Sequence, residues 1–340
     1  MTAAATQLPL SAEVPKPKFD FVPVALVIGL AVAALPLIGS PSTWVTLTVA
    51  GLAMGMIVFI IASGLTLVFG LMDVLNFGHG VFIAFGAFIA TTVLGSLGGF
   101  TTAPGLGPNL VAIFAAMLAA MALAGVLGAV FERLIVRPVY GHHLKQILIT
   151  MGGMIVGEEL IKAIWGPQLI PLPLPESLRG ALLIGDAAIE KYRVFAALVG
   201  VLVLLGLLYT LNRTKIGLLI RAGVQDREMV ESLGYRIRQL FVGVFVAGSA
   251  LAGLGGVLWG LYLQGVTPQI GAQTTVLIFI VIIIGGLGST LGCLVGALLV
   301  GLMANYTGFL APKVALFSNI ALMVAVLLWR PQGLYPVTGR

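Results

Sequence analysis

Side chains able to do chemistry are scarce in this sequence, and the first group of them is Asp73, Asn76 and His79. The three stand close together in a region otherwise made of apolar and small residues. An ionisable group at membrane depth is costly unless it meets a cavity or a partner, so the trio is a candidate lining for a solute path. A competing reading places Asp73 and His79 at the membrane–water boundary, where water satisfies them. Asn76, just ahead of His79 at the start of an apolar run, also fits a helix N-cap that receives orphan amide donors.

A second candidate is the run Gly285-Gly-Leu-Gly-Ser289. Its glycines allow a sharp bend or close backbone approach, and a plain helix–helix contact is the alternative. The stretch Asn76–Ala87 aligns with Gly286–Ala297, so that Gly78, Gly86 and Ala87 fall on Gly288, Gly296 and Ala297. In both places small and polar residues interrupt a long apolar run. Paired interruptions point to a transport path, because broken helices free backbone groups to meet a solute. Asp73, Asn76, His79, Gly288 and Ser289 are therefore the predicted path residues.

A third candidate lies between residues 212 and 239. Gly223–Gly234 reads as a short amphipathic helix, with Val224, Met229, Val230 and Leu233 on one side and Asp226, Arg227, Glu228 and Glu231 on the other. Gly234 follows as a C-terminal stop. Such an apolar stripe needs a groove or a lipid surface to cover it. Glu158, Glu159 and Lys162 form the last group. Glu158 and Lys162 share a helix face and can neutralise each other; the acids could otherwise attract an ammonium-bearing solute.

Catalysis finds little support. Cys293 is the single cysteine, and the three histidines lack metal-ligand spacing. No Ser-His-Asp set assembles by spacing, and no G-x-x-x-x-G-K-[ST] phosphate loop is present. The expectation is a chain that is not an enzyme and binds no cofactor or metal of its own.

The elements that must carry these residues follow from composition. Of 340 residues, 59% are hydrophobic and 9% charged, against roughly 25% charged in soluble domains. Apolar runs of bilayer length recur at 23–39, 44–70, 76–97, 109–131, 146–165, 194–211, 240–263, 273–285, 290–305 and 314–329. Their continuity predicts helices rather than alternating barrel strands. The fold expected is an all-α polytopic transmembrane bundle of about 8–10 membrane elements, with broken or re-entrant helices and a weak internal repeat. The 45 glycines suit close helix packing in lipid.

The net charge of +6 resides in connecting segments and reports membrane orientation rather than a nucleic-acid partner. Arg133, Arg137 and Lys145 lie in one loop; Arg213, Lys215, Arg221, Arg227, Arg236 and Arg238 lie in another. Both are placed in the cytoplasm, with 98–108 and 264–272 outside. Residues 1–22 are expected as a disordered cytoplasmic tail, 23–330 as the membrane domain with its basic loop at 212–239, and 331–340 as a second cytoplasmic tail. A single broken helix over 273–305 would instead put that last tail outside.

Gly64-Leu-Thr-Leu-Val-Phe-Gly70 through Asn76-Phe-Gly-His-Gly80 resembles the signature of the branched-chain amino acid permease family of bacterial ABC importers. Three further stretches fit in order: Arg221-Ala with Asp226, Met229 and Leu233-Gly234; Gly285-Gly-Leu-Gly-Ser289 with Gly296; and Trp329-Arg-Pro-Gln-Gly-Leu334. The resemblance runs from about residue 44 to 335.

It implies a non-catalytic permease subunit of the inner membrane, working by alternating access. Its partners would be a second permease subunit, related or identical, two cytoplasmic ATPase subunits carrying ATP and Mg, and a periplasmic solute-binding protein. The segment Gln225–Gly234 would be the coupling helix, with Arg221, Gln225, Asp226, Glu228, Glu231 and Gly234 at the ATPase contact. Branched-chain amino acids are the first substrate class; urea or short amides, and aromatic or dicarboxylic acids, are carried by similar permeases. An ion-coupled secondary transporter or channel is the competing class. The chain departs from the family pattern in its longer segment 1–39 and in the Glu158-Glu159 pair.

Overall fold

The computed structural model describes residues 20–225 and 227–336. For Arg221, Val224, Gln225, Arg227, Glu228 and Leu316 it describes the backbone alone. The described residues are overwhelmingly helical, and six helices are long and apolar enough to cross a membrane.

Helix α1, Val22–Ile38, begins with Pro23 in its first turn and ends at Gly39, whose φ of 74° supplies the left-handed stop. Helix α2, Pro41–Met72, starts on a Ser40 cap and a Pro at its first position. Its 32 residues span about 48 Å, and it is buried almost continuously from Ala50 to Val68. This is the central mast. Around it stand α3 (His79–Ser96), α5 (Leu106–Phe131), α6 (His143–Trp165), α7 (Lys191–Arg213), α10 (Ile237–Leu263), α11 (Ile270–Gly285), α12 (Thr290–Leu310) and α13 (Ala315–Trp329). The short α4, Gly98–Thr101, joins α3 to α5. Helices α8 (Lys215–Gln225) and α9 (Arg227–Ser232) fill the long basic loop.

Two small antiparallel ribbons close one end of the bundle. Strand β1, Ile170–Pro171, pairs with β4, Gly265–Val266, and β2, Ala181–Ile184, pairs with β3, Ala187–Glu190. Asn109 joins this end by accepting from the Ser177 amide at 2.8 Å. The opposite end gathers Asp20, Asp73, His143, α8, α9 and residues 330–335 through direct contacts. Most basic residues lie there, which makes it the cytoplasmic end.

Helices α11 and α12 form an antiparallel hairpin rather than one broken span: Gly285 meets Gly292, and Gly296 meets Val281. The chain thus returns to the end from which α1 departs. There Arg330 Nη1 donates to Asp20 Oδ2 at 2.6 Å, and the Tyr335 hydroxyl donates to the Asp20 carbonyl. The Arg330 hydrogen bond, then the Val22 amide, holds the Asp20 carboxyl below its ordinary range. The Asp20–Arg330 pair is therefore complete at neutral pH and is lost only as pH falls through that depressed value.

Without hydrophobic force between helices, contact depends on close backbone approach. At Gly256 of α10 an added Cβ would fall 2.1 Å from the Ile83 carbonyl of α3, whereas at Gly95 it would meet nothing within 4 Å. Gly256→Val should therefore lower stability by about 1–3 kcal/mol, read as a drop in Tm in detergent. Gly95→Val should leave Tm unchanged.

Candidate functional site

Helix α2 ends at Asp73, whose φ of 54° and ψ of 37° are left-handed and whose amide donates to the Phe69 carbonyl. The Asp73 carboxylate is exposed and lies 3.6 Å from His143 Nε2. Beyond it the chain turns back beside α2 without regular structure until His79 opens α3. Val74, Asn76 and Gly78 of this segment are buried. Its amides therefore need partners that neither lipid nor a helix provides.

Helix α6 supplies them. Gln146 Oε1 accepts from the Leu75 amide at 3.3 Å, and Thr150 Oγ1 accepts from the Phe77 amide at 3.1 Å. One helical turn apart, the two side chains fall on the same face of α6, and both are buried. Thr150 is itself oriented by donating to the Gln146 carbonyl at 2.6 Å. Gln146 Nε2 donates onward to the Val139 carbonyl at 3.3 Å. Phe77 stacks on Phe279 of α11, with ring centroids 4.5 Å apart.

Asn76 does not cap α3 in the expected way. Its Oδ1 accepts from the Gly78 amide at 3.0 Å, a turn one step ahead of the helix, and Gly78 occupies the cap position. Asn76 is 0% and His79 1% exposed, so neither sits at a watery boundary. His79 Nε2 lies 3.1 Å from the Ile61 carbonyl of α2. A carbonyl only accepts, so Nε2 carries the proton in that contact. Asn76 Nδ2 and His79 Nδ1 have no hydrogen-bond partner. Space for the imidazole comes from Gly64, where an added Cβ would lie 2.3 Å from the Gly248 carbonyl and 3.2 Å from His79 Cε1.

The second break follows α11. Gly286 and Gly288 take φ of 99° and 83°, and Ser289 Oγ caps α12 by accepting from the Gly292 amide at 3.1 Å. An added Cβ at Gly70 would come within 2.9 Å of Gly288. Both breaks thus adjoin α2 but at different depths. Gly288 meets its end, while His79 lies at the level of Ile61 and Gly64, about 10 Å further along it.

Residues 330–335 complete this break. The Leu334 amide donates to the Ile284 carbonyl and the Tyr335 amide to the Gly285 carbonyl, each at 2.9 Å. The final carbonyls of α11 are thereby satisfied from the main chain of a C-terminal strap.

At the far end of α6, Lys162 Nζ lies 2.9 Å from Glu158 and 2.8 Å from Glu159, and Gln269 Nε2 donates to Glu158 at 3.2 Å. One lysine thus faces two carboxylates, and the cluster keeps a formal charge of −1. Among the described residues no group of three or more His, Cys, Asp or Glu is placed to hold a metal.

The basic loop is longer in helix than its amphipathic stretch suggests. It folds as α8 and α9, with Gly234 at a φ of 87°. The Gly234 amide donates to Glu231 and the Tyr235 amide to Val230, closing the end of α9. Val230 is 2% exposed, whereas Met229 is 55% and Leu233 66% exposed. Ile220 and Ile237 anchor the loop in the bundle. Asp226 lies outside the described residues, as do the side chains of Arg221, Gln225 and Glu228.

A bundle of membrane-length helices, broken twice against a central mast and bearing an exposed apolar ridge on its basic end, defines a multi-pass membrane permease subunit. The family described as "Branched-chain amino acid transport system / permease component" matches residues 47–327, and the chain belongs to that family. It is 30% identical over 295 residues to the high-affinity branched-chain amino acid transport system permease protein BraD of Pseudomonas aeruginosa, covering 84% of this chain and 93% of that protein. The corresponding LivH protein of Escherichia coli is 26% identical over 291 residues, covering 84% and 92%. LivM of Escherichia coli is 27% identical over 300 residues, covering 83% of this chain and 68% of that protein. No solved structure matches this chain.

The Thr150 contact admits a direct test. Thr150→Val leaves the buried Phe77 amide without its acceptor and should cost about 1–3 kcal/mol. Thr150→Ser, which keeps the oxygen, should retain most of the wild-type Tm in detergent.

Proposed function

We propose that this chain is one of two membrane subunits of an ATP-driven importer that carries branched-chain amino acids inward. The observation that bears most weight is the ridge of Met229, Leu233 and Tyr235, exposed on the cytoplasmic end while Val230 beside it is buried. Apolar side chains held out on a turn anchored by buried Val230 and Ile237 are suited to seating in a groove of another protein. On this reading two cytoplasmic ATPase subunits bind ATP and Mg, and one of them receives α9 in its groove. A second permease subunit completes the membrane unit, and a periplasmic binding protein delivers the solute. The substrate class follows the printed names of the relatives.

The breaks provide the moving parts. Asp73, Asn76, His79, Gly288 and Ser289 are the proposed path residues. Asn76 and His79 are closed off in this conformation, so reaching them requires α6 or α11 to move away from residues 73–78. Their unpartnered atoms, Asn76 Nδ2 and His79 Nδ1, favour an alternative state in which water or solute meets them. Helix α8 packs against α2 and adjoins α7, and α9 contacts α10. A push on the ridge thereby reaches the helix that carries the first break.

Co-purification from native membranes followed by reconstitution tests this reading. Recovery of ATPase subunits, with leucine uptake that requires both ATP and the binding protein, is the expected result. A chain that purifies alone and moves leucine without ATP would overturn it. Met229→Asp with Leu233→Asp should reduce ATP-dependent uptake at least about tenfold, with Tm unchanged because both side chains are exposed.

A further inference from the structure

Helix α7 has its fully buried residues in its first half, while Val203, Leu204, Leu207 and Leu211 meet the core only in part. Tyr192, Ala196, Val199 and Gly200 are buried, and the Tyr192 hydroxyl donates to the Leu258 carbonyl. From Val203 onward the helix stands away from α10. The gap is a cavity of about 570 Å³ that reaches past α7 and α10 to Leu67 and Leu71 of the central mast. Its walls come from α2, α5, α7, α8 and α10.

Three properties of this slot point to one kind of occupant. The first is its length: Leu254 to Gln239 on α10 covers about 22 Å, more than the roughly 15 Å of one leaflet's hydrocarbon. The second is its polarity, for the wall is apolar except for Thr210 and Gln239, both at the cytoplasmic mouth. The third is charge. Arg213, Lys215, Arg236 and Arg238 stand within three residues of the lining residues Leu211, Ile216 and Gln239, all exposed and none in an ion pair among the described residues. A long apolar channel with four cations near its mouth in the chain is complementary to a chain molecule with an anionic head.

Small residues keep the slot open. Gly206 on α7 and Gly243 on α10 both line it, yet a Cβ added at either would meet nothing within 4 Å. Unlike Gly64 or Gly256, these glycines bring no backbones together. We propose that the slot binds one acyl chain of an anionic phospholipid of the cytoplasmic leaflet, with its headgroup between Arg213, Lys215, Arg236 and Arg238. The bound chain lies against Ile216 and Ile220, so it braces α8 against the bundle.

The test uses the full chain in mild detergent, incubated with phosphatidylglycerol or phosphatidylcholine, and counts retained lipid by native mass spectrometry. The wild type should retain phosphatidylglycerol and prefer it roughly tenfold. Gly206→Leu with Gly243→Leu, which fills the slot, should abolish retention with Tm maintained. Replacing the four cations by Gln should keep an acyl chain bound but erase the headgroup preference. Equal retention by the filled variant, or a preference that survives the loss of all four cations, would overturn the proposal. So would cross-linking of Gly243→Cys to another polypeptide in native membranes, which would assign the slot to a protein. Lipid retention is read without ATP, binding protein or transport, so its failure is distinct from failure of the importer reading.

Discussion

Hydrocarbon offers no hydrogen bonds, and every departure from helix inside this bundle must be repaired by the protein itself. Much of the architecture can be traced to that constraint. The first break leaves the amides of Leu75 and Phe77 inside the bundle, and α6 meets them with Gln146 and Thr150. The second leaves the last carbonyls of α11, and the C-terminal strap meets them with its backbone. Helices α6 and α11 also both meet Phe77, α6 through its amide and α11 through its ring. The placement of α6, α11 and the C-terminus thus follows from breaking two helices against α2.

The apolar runs and their interruptions were legible because they are local. Composition alone argues against a soluble fold, and ten apolar runs with two interrupted places can be read from the order of residues. The partners of the breaks were not legible. Gln146 and Thr150 read as ordinary polar residues near the start of a span, and only their spacing of one turn on an apolar helix hints at a shared task. The strap's role also escapes, since its hydrogen bonds come from main-chain amides that carry no residue-specific signal. An Asn just ahead of an apolar run fits a cap when the helix begins beside it. The turn at Gly78 displaces that start and leaves the Asn76 amide nitrogen unpartnered.

Charge and apolarity are sorted between the two ends. The far end is tied by two ribbons, the Asn109–Ser177 contact and the Glu158–Lys162 pair. The cytoplasmic end carries an exposed ridge on α9 and a slot behind α8. Helix α8 borders the slot and contacts α2 and α7.

The two repairs differ in what they ask of the genetic text. The strap's hydrogen bonds to Ile284 and Gly285 survive any replacement at 334 or 335 except proline, because the donors are peptide groups. Those at the first break need an acceptor oxygen at residue 150 and a side chain of the reach of glutamine at residue 146. Neutral drift therefore has wide latitude in hydrogen bonding at one break and little at the other. Change at the first break therefore has few single steps that leave the chain foldable, and a compensating pair across α6 and residues 73–78 is the open route.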